Sequence, residues 1–220
     1  MKKLVIFDLD GTLLNTIDDL AYAANAALKA CGWPLRSKAE VQTFVGNGVS
    51  KLLERALPDN AKKSANLETL KKSFFDYYDA HLWMHTRPYA GIEGLLAFLQ
   101  EKGIKMAVIS NKYHAATRRL IEHFFPQIKF VCVVGQQEGL PTKPHPQGVL
   151  QILSAARVEK SAALLVGDSD VDMQTAHNAG IEACGVTWGF RSREVLSAHQ
   201  PAYVIDTPLQ LQKFSHFFSR

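Results

Sequence analysis

The feature that most constrains the fold is a series of short, nearly continuous apolar runs, separated by longer segments with helical spacing. The runs are rich in β-branched residues and do not alternate with polar ones. This pattern is typical of strands that are buried on both faces of a parallel sheet. Strands in alternation with helices favour an α/β fold with a doubly wound parallel sheet. The runs span residues 4–7, 106–109, 130–134, 163–166, 183–186 and, more weakly, 203–205.

The segments between the later runs carry apolar residues three and four positions apart, as amphipathic helices do. The first of these segments stops at Gly103, a residue type that commonly follows the end of a helix. These segments are therefore predicted to cover the two faces of the sheet. The predicted helices span residues 92–102, 114–125, 146–156 and 171–179.

The segment between the first two runs breaks the alternation, because it shows helical spacing and no convincing strand. We therefore predict a core of residues 1–14 and 86–220, with a small helical cap domain of residues 15–85 inserted after the first strand. Proline and glycine in residues 85–91 suit the linker that returns to the core. The helical spacing of the insert is clearest at residues 18–29, 49–57 and 67–83.

Charge and composition argue against several classes of protein. The net charge is +4, but the basic residues are scattered, which does not favour nucleic-acid binding. The three cysteines lie far apart, so neither a disulfide nor a zinc site is expected. Asp8 interrupts the first apolar run, and no run approaches the roughly 18 apolar residues of a membrane span. We expect a cytoplasmic monomer or small homo-oligomer that binds neither membranes nor nucleic acid.

Polar side chains follow the ends of the predicted strands. The carboxyl ends of parallel strands share one edge of a sheet, where ligands of α/β proteins bind. We therefore expect these side chains to lie close together and to form a site. They are Asp8, Asp10, Ser110, Asn111, Lys143, Asp168 and Asp172.

The chemistry of this set is that of phosphoryl transfer. Clustered carboxylates repel one another and require a cation, and their oxygen ligands favour Mg²⁺. The hydroxyl of Ser110 and the ammonium of Lys143 suit a phosphate. Asp8 and Asp10 project to the same side of an extended backbone, because they are two residues apart. One of them can attack phosphorus as a nucleophile, and the other can transfer protons.

Four segments, in order along the chain, resemble the motifs of the haloacid dehalogenase-like phosphatases. They are DLDGT at residues 8–12, SN at 110–111, Lys143 with Pro144, and GDSDVD at 167–172. The resemblance implies that Asp8 is the nucleophile and Asp10 the general acid/base. It also implies a Mg²⁺ ion bound by Asp8, by the backbone carbonyl of Asp10 and by Asp168, with Asp172 in support.

The same resemblance implies a phosphate site made by Ser110 and Lys143. Thr12 and Asn111 belong to the same set of candidates, with a second interpretation for each. Thr12 orients its loop through hydrogen bonds rather than reacting. Asn111 either contacts the phosphate or closes a turn.

Residues 46–57, which read GNGVSKLLERAL, resemble the cap segment of the phosphoglycolate phosphatase group, and residues 87–99 and 206–211 also fit that group. Gly46, Asn47 and Arg55 are therefore candidates for a substrate loop on the cap, or else for a turn that enters a helix. The expected function is Mg²⁺-dependent hydrolysis of a small phosphorylated metabolite through an aspartyl-phosphate. Phosphoglycolate is the leading substrate.

Other functions share these residues. A phosphomutase similar to β-phosphoglucomutase uses the same core and the same two acids, and a pyrophosphatase is a further enzymatic alternative. A 2-haloacid dehalogenase is disfavoured, because those relatives lack the second acid and Asp10 is present here. The non-enzymatic alternative is a catalytically inactive binding module, although every expected catalytic group is present.

Overall fold

The structure is a computed structural model that describes residues 1–213, so residues 214–220 of the predicted core lie outside the described residues. Within the described part, no helix has both the length and the apolar character that a membrane span requires. The strands are β1 (Leu4–Phe7), β2 (Leu14–Asn15), β3 (Arg87–Pro88), β4 (Lys105–Tyr113), β5 (Phe130–Gln136), β6 (Ala163–Gly167), β7 (Glu182–Val186) and β8 (Tyr203–Ile205). The helices are α1 (Ile17–Ala30), α2 (Lys38–Phe44), α3 (Gly48–Ala56), α4 (Ser64–Tyr78), α5 (Ile92–Glu101), α6 (His114–Phe124), α7 (Gln147–Ala156), α8 (Asp170–Ala179), α9 (Arg193–Ser197) and α10 (Pro208–Lys213).

Six parallel strands form the central sheet, in the order β5-β4-β1-β6-β7-β8. The chain builds one half of the sheet from β1 outward and then returns to build the other half. Phe7, the last residue of β1, pairs with Val108 on one side and Val166 on the other, so these strands end at a similar level. The order of the strands reverses beside β1, which is where α/β sheets bind ligands. The doubly wound parallel sheet is confirmed.

The first strand is the most deeply buried element of the sheet. All four of its residues have no exposed surface. Val5 and Phe7 face one hydrophobic cluster, whereas Leu4 and Ile6 face the other. Helices α5 and α6 contribute to the first cluster, and helices α7 and α8 to the second. Burial on both faces is the physical reason that this strand carries no alternating polar residue.

The helical insert, α1 to α4, enters and leaves the core at one place. Strands β2 and β3 pair antiparallel, with Leu14 opposite Pro88 and Asn15 opposite Arg87, so the two crossings lie side by side. Leu28, Leu70 and Phe74 are fully buried between the helices of the insert and its surroundings. The predicted domain boundaries fall at or next to this strand pair, and the division into two domains stays a prediction.

Helix α2 was not predicted, although its start carries a recognisable signal. The hydroxyl of Ser37 accepts a hydrogen bond from the backbone N–H of Glu40 at 3.2 Å. In return, the Glu40 carboxylate accepts from the backbone N–H of Ser37 at 2.8 Å. A serine followed three residues later by a glutamate is the sequence pattern that indicates this reciprocal capping box. The spacing of apolar residues missed the helix because only Val41 of α2 is buried.

The prediction of one helix over residues 67–83 is wrong at its end, because α4 stops at Tyr78. The next residue, Asp79, is bound to the core. Its carboxylate accepts a hydrogen bond from the Tyr113 hydroxyl and lies 3.6 Å from the Arg119 guanidinium. A second nitrogen of Arg119 donates to the backbone carbonyl of Asp79 at 3.2 Å. These contacts hold the chain where it turns back toward β3, which local periodicity cannot reveal.

Replacement of Ile6 tests the burial of the first strand. Ile6→Ala removes apolar contacts on a fully buried face and should lower the free energy of unfolding by about 2–5 kcal/mol. Val131 on the edge strand β5 is 45% exposed, and Val131→Ala should change stability by no more than about 0.5 kcal/mol. Urea unfolding of the two variants measures the difference. Equal losses of stability would contradict the burial of β1.

Candidate active site

The polar residues that follow the strand ends converge at the carboxyl edge of the sheet. Asp8 follows β1 and Asp168 follows β6, while Lys143 lies in the loop before α7. The helical insert covers this edge, and a pocket lies between the two. Its core side is lined by Asp8, Asp10, Ser110, Asn111, Lys143 and Asp168.

Three buried carboxylates surround one ammonium group in this pocket. Asp8, Asp168 and Asp172 each offer a carboxylate oxygen, and these oxygens lie within 4.8 Å of one another. The ammonium nitrogen of Lys143 lies 2.8 Å from Asp8 Oδ1 and 2.6 Å from Asp172 Oδ1. Three carboxylates against one ammonium leave an excess of negative charge among buried side chains.

The pKa values show this excess. Burial raises the pKa of Asp8 well above its ordinary range, with repulsion by Asp172 adding to the effect of burial and Lys143 opposing it. Burial and then Asp172 raise the pKa of Asp168 to about 7. For Lys143, burial opposes the ammonium, but the attraction of Asp172 and Asp8 outweighs it and raises the pKa. The site therefore lacks positive charge, which a proton or a divalent cation supplies.

Asp172 supports the site from behind the pocket. Its Oδ2 accepts hydrogen bonds from the Ser169 hydroxyl at 2.5 Å and from the Ser169 backbone N–H at 3.1 Å. The backbone N–H of Asp172 donates in return to the Ser169 hydroxyl at 3.4 Å, which completes the capping box at the start of α8. Its Oδ1 binds Lys143, as described above. One carboxylate thus fixes both the helix start and the position of the ammonium.

Asp168 is held in place by its neighbours. Its Oδ1 accepts from the Thr12 hydroxyl at 2.9 Å, and its Oδ2 accepts from the Phe190 backbone N–H at 2.8 Å. Side chains at Gly11 or Gly189 would overlap this carboxylate, and Gly11 has a φ of +86°. Thr12 was predicted in the phosphate set, but its hydroxyl faces Asp168, which agrees with an orienting function.

Asp10 has two partners, and neither was assigned from the sequence. Its Oδ1 accepts from the Thr16 hydroxyl at 2.7 Å and lies 3.1 Å from the Lys112 ammonium. Lys112 is buried, with its ammonium nitrogen 4.9 Å from the centre of the Tyr78 ring at the end of α4. Burial opposes the ammonium of Lys112, but Asp10 and Tyr78 outweigh it and raise its pKa. A lysine directly after Ser110 and Asn111 was the available signal.

The second predicted strand, residues 106–109, is longer in the structure than the apolar run indicated. Strand β4 extends to Tyr113 and includes Ser110 and Asn111, since Tyr113 still pairs with Gln136 across a register shift. Ser110 lines the pocket, and its hydroxyl accepts from the Lys112 backbone N–H at 3.2 Å.

The amide of Asn111 is fully engaged with backbone groups. It donates to the carbonyl of Lys143 at 3.0 Å and to that of Gly46 at 2.9 Å. Its Oδ1 accepts from the Lys143 backbone N–H at 2.8 Å. These bonds span 32 and 65 positions of the chain, so Asn111 holds the Lys143 segment against β4 and joins the core to the insert, while its contact with the phosphate stays a prediction.

The three candidates on the insert are divided by the structure. Gly46 lines the pocket together with Gly48 and Val49 at the start of α3. Arg55 donates to the Phe44 carbonyl at 2.9 Å and to Asn47 Oδ1 at 2.9 Å. Asn47 and Arg55 are not among the residues that line the pocket. They fix the shape of the loop that presents Gly46.

Comparison with known proteins identifies the family. The chain matches the haloacid dehalogenase-like hydrolase family over residues 5–186. This stretch includes β1 to β7 and all four acidic residues of the site. The chain therefore belongs to the haloacid dehalogenase-like hydrolases, as the motifs predicted.

Relatives with full-length similarity are phosphatases. The chain is 35% identical to phosphoglycolate phosphatase of Vibrio parahaemolyticus, over 95% of this chain and 94% of that protein. It is also 35% identical to phosphoglycolate phosphatase of Neisseria meningitidis, over 91% of this chain and 88% of that protein. A crystal structure of a predicted phosphoglycolate phosphatase from Haemophilus somnus superimposes with a TM-score of 0.91 at 30% identity, covering 97% and 98% of the two chains. The prediction of a phosphatase is confirmed.

The raised pKa of Asp168 predicts a pH dependence of stability in metal-free protein. The pKa of Asp168 is about 7 in the folded chain and about 3.9 in the unfolded chain, so folding takes up a proton at pH values between the two. The free energy of unfolding should therefore fall as pH rises through this window, by up to about 1.4 kcal/mol per pH unit. Asp168→Asn should remove this component. Urea unfolding in chelator, from about pH 4.5 to about pH 7.5, measures it.

Asp76→Asn is the control for this experiment, because Asp76 lies on the outside of α4 with 64% of its side chain exposed. This variant should keep the pH dependence of the unmodified chain. If Asp168→Asn keeps it as well, the excess charge does not reside on Asp168.

Proposed function

We propose that this phosphatase hydrolyses phosphoglycolate with the help of Mg²⁺, through an aspartyl-phosphate formed on Asp8. The observation that carries the proposal is the buried group of Asp8, Asp168 and Asp172 around Lys143, in a pocket beneath the insert. Such a group combines a nucleophile, an excess of negative charge that attracts a metal ion, and a cation for the phosphate.

The residues fit a hard divalent cation. Asp8 and Asp168 offer carboxylate oxygens at the pocket, and their raised pKa values reflect the positive charge that the site needs. Mg²⁺ would be held by these two side chains and by the backbone carbonyl of Asp10. When bound, it supplies charge that neutralises the phosphoryl oxygens as the bonds to phosphorus change.

The hydrogen bonds of Asp8 point to the attacking oxygen. Its Oδ1 accepts from the Leu9 backbone N–H at 2.7 Å and is paired with Lys143 at 2.8 Å. Oδ2 is therefore the oxygen that attacks phosphorus, forming a bond to it as the ester oxygen leaves. Lys143 remains beside both the nucleophile and the phosphoryl group, and Ser110 offers its hydroxyl from the other wall of the pocket.

Asp10 transfers the protons of both half-reactions. Its Oδ1 is held by Thr16 and Lys112, so Oδ2 faces the reaction. It donates a proton to the leaving alkoxide in the first step. In the second step it takes a proton from the water that attacks phosphorus, and phosphate leaves with Asp8 restored. The same carboxyl acts as acid and then as base, because the carboxylate left after the first proton transfer can accept a proton in the second step.

The choice of phosphoglycolate is supported by the names of the relatives and by the charge of the pocket. Both the Vibrio and the Neisseria relatives carry that activity in their names. Two cationic side chains beyond Lys143, those of Lys112 and Arg191, line the pocket. Both groups already have partners in the protein, and their positive charge attracts small anionic substrates, of which phosphoglycolate is one.

Phosphate release from a panel of phosphate esters tests this function. Phosphoglycolate, sugar phosphates, nucleotides and pyrophosphate would be supplied with and without Mg²⁺. We expect metal-dependent release with phosphoglycolate far ahead of the others. Faster release from another ester would support the hydrolase but contradict phosphoglycolate as its substrate. Isomerisation of a sugar phosphate without release would replace the proposal by a mutase.

Asp8→Asn tests the covalent step. It removes the nucleophilic oxygen without a change of size, so turnover should fall by at least about 10³-fold while the fold is kept. Acid-quenched wild-type enzyme should carry one phosphoryl group on the peptide that contains Asp8, and the variant should carry none. Near-normal turnover in Asp8→Asn would contradict the mechanism.

A further inference from the structure

One loop of the core touches both the acidic centre and the insert. This loop follows β7 and includes Phe190 and Arg191. The backbone N–H of Phe190 donates to Asp168 Oδ2 at 2.8 Å. The backbone carbonyl of the same residue accepts from the Gln42 side chain, on helix α2, at 3.3 Å. Asp168 and α2 are therefore joined through a single residue.

Arg191 makes the main contact between this loop and the insert. Its guanidinium donates to the backbone carbonyls of Gln42 at 3.0 Å, Thr43 at 3.4 Å and Val45 at 2.6 Å. On its other side, its Nε lies 3.8 Å from Asp170 Oδ1, at the start of α8. Arg191 is thus placed between a carboxylate of the core and three carbonyls of the insert.

The three carbonyls lie at the C-terminal end of α2, where backbone acceptors lack helical partners. A helix C-terminus also carries partial negative charge and is stabilised by a nearby cation. Helix α2 has no basic residue in its own last turn. Arg191 supplies that cation from the core, and its planar group binds several acceptors at once in a way that an ammonium cannot.

Arginines that belong to the insert bind carbonyls of the insert itself and do not cross to the core. Arg36 donates from Nε to the Ala56 carbonyl at 2.7 Å, at the C-terminal end of α3. Both residues of that pair belong to the insert, so this bond does not depend on where the insert lies. The bonds of Arg191, in contrast, break when the insert moves away from the pocket.

We propose that Arg191 is a positioning residue that latches the insert over the pocket and couples this closure to the position of Asp168. The proposal rests on the proposed function only in taking the pocket as the site of hydrolysis. With the latch formed, the insert keeps bulk solvent away from the acidic centre, and the Phe190 N–H is fixed on Asp168. With the latch released, substrate and product exchange, since lids of this kind gate access to a site.

Amide hydrogen exchange of the whole chain tests the latch without any substrate. Arg191→Gln should speed exchange about tenfold or more in residues 42–49 and 188–191, because the closed state loses three bonds to the guanidinium. Arg36→Gln is the matched control, since the two bonds that it removes, to the Ala56 carbonyl and to the exposed Glu40 carboxylate, both lie within the insert, and it should leave these segments unchanged. Exchange in β1 reports global unfolding and should be the same in all three proteins.

Kinetics with p-nitrophenyl phosphate and Mg²⁺ provide the second measurement. We expect kcat/KM to fall about tenfold in Arg191→Gln, to recover partly in Arg191→Lys, and to stay within about twofold in Arg36→Gln. The fall in kcat/KM should come mainly from a higher KM, because a smaller closed fraction lowers the apparent affinity for substrate by that fraction.

The two measurements separate the latch from the proposed function. Equal exchange of residues 42–49 in Arg191→Gln and the unmodified chain would overturn the latch, whatever the kinetics. Faster exchange in those residues with an unmodified enzyme that hydrolyses no ester would keep the latch and overturn the proposed function. Faster exchange throughout β1 in Arg191→Gln would reduce Arg191 to a general contribution to stability and would also overturn the latch.

Discussion

The ion pairs of Lys143 with Asp8 and Asp172 are the interactions on which the rest of the structure depends. Buried charges are expensive unless they are paired and hydrogen-bonded, and removal of one partner leaves the others uncompensated. Strand β1 delivers Asp8, the capping box of α8 fixes Asp172, and the loop before α7 delivers Lys143. A single ammonium cannot balance Asp168 as well, so the site is built with unfilled demand for positive charge. A divalent metal ion would meet that demand, and its positive charge would also neutralise the oxygens of a reacting phosphoryl group.

The contacts of the insert are made beside the acidic centre and the residues proposed to act in catalysis. Lys112 joins Asp10 to the ring of Tyr78, Asn111 joins the Lys143 segment to Gly46, and Phe190 joins Asp168 to α2. Asp10, Asp168 and the Lys143 segment are therefore each linked to the insert through one residue. An insert that moved would alter the surroundings of these three groups together. This proximity gives a physical basis for linking entry of substrate to assembly of the site.

Family membership and substrate choice rest on different parts of the molecule. Family membership rests on the match over residues 5–186 and on phosphatase relatives that are 35% identical over 94% and 88% of their own length. The pocket is also lined by the start of α3 and by the loop of Arg191, which lie outside the acidic centre. A fold that serves many reactions fixes the chemistry at its strand ends and leaves the substrate to such added walls.

Local patterns in the sequence determined the strands of the sheet, the helices of the core and the identity of the acidic residues, because strand burial and helix spacing act between near neighbours. The acids of the first motif were readable since two positions in extended backbone share a side. The end of α4, the pairing of Lys112 with Asp10 and the bonds of Arg191 to α2 were decided only in the tertiary structure. Arg191 and Val45 lie 146 positions apart in the chain, and no local preference of either residue refers to the other. Such contacts follow from packing an insert against a sheet edge, which brings together side chains whose neighbourhoods in sequence are unrelated.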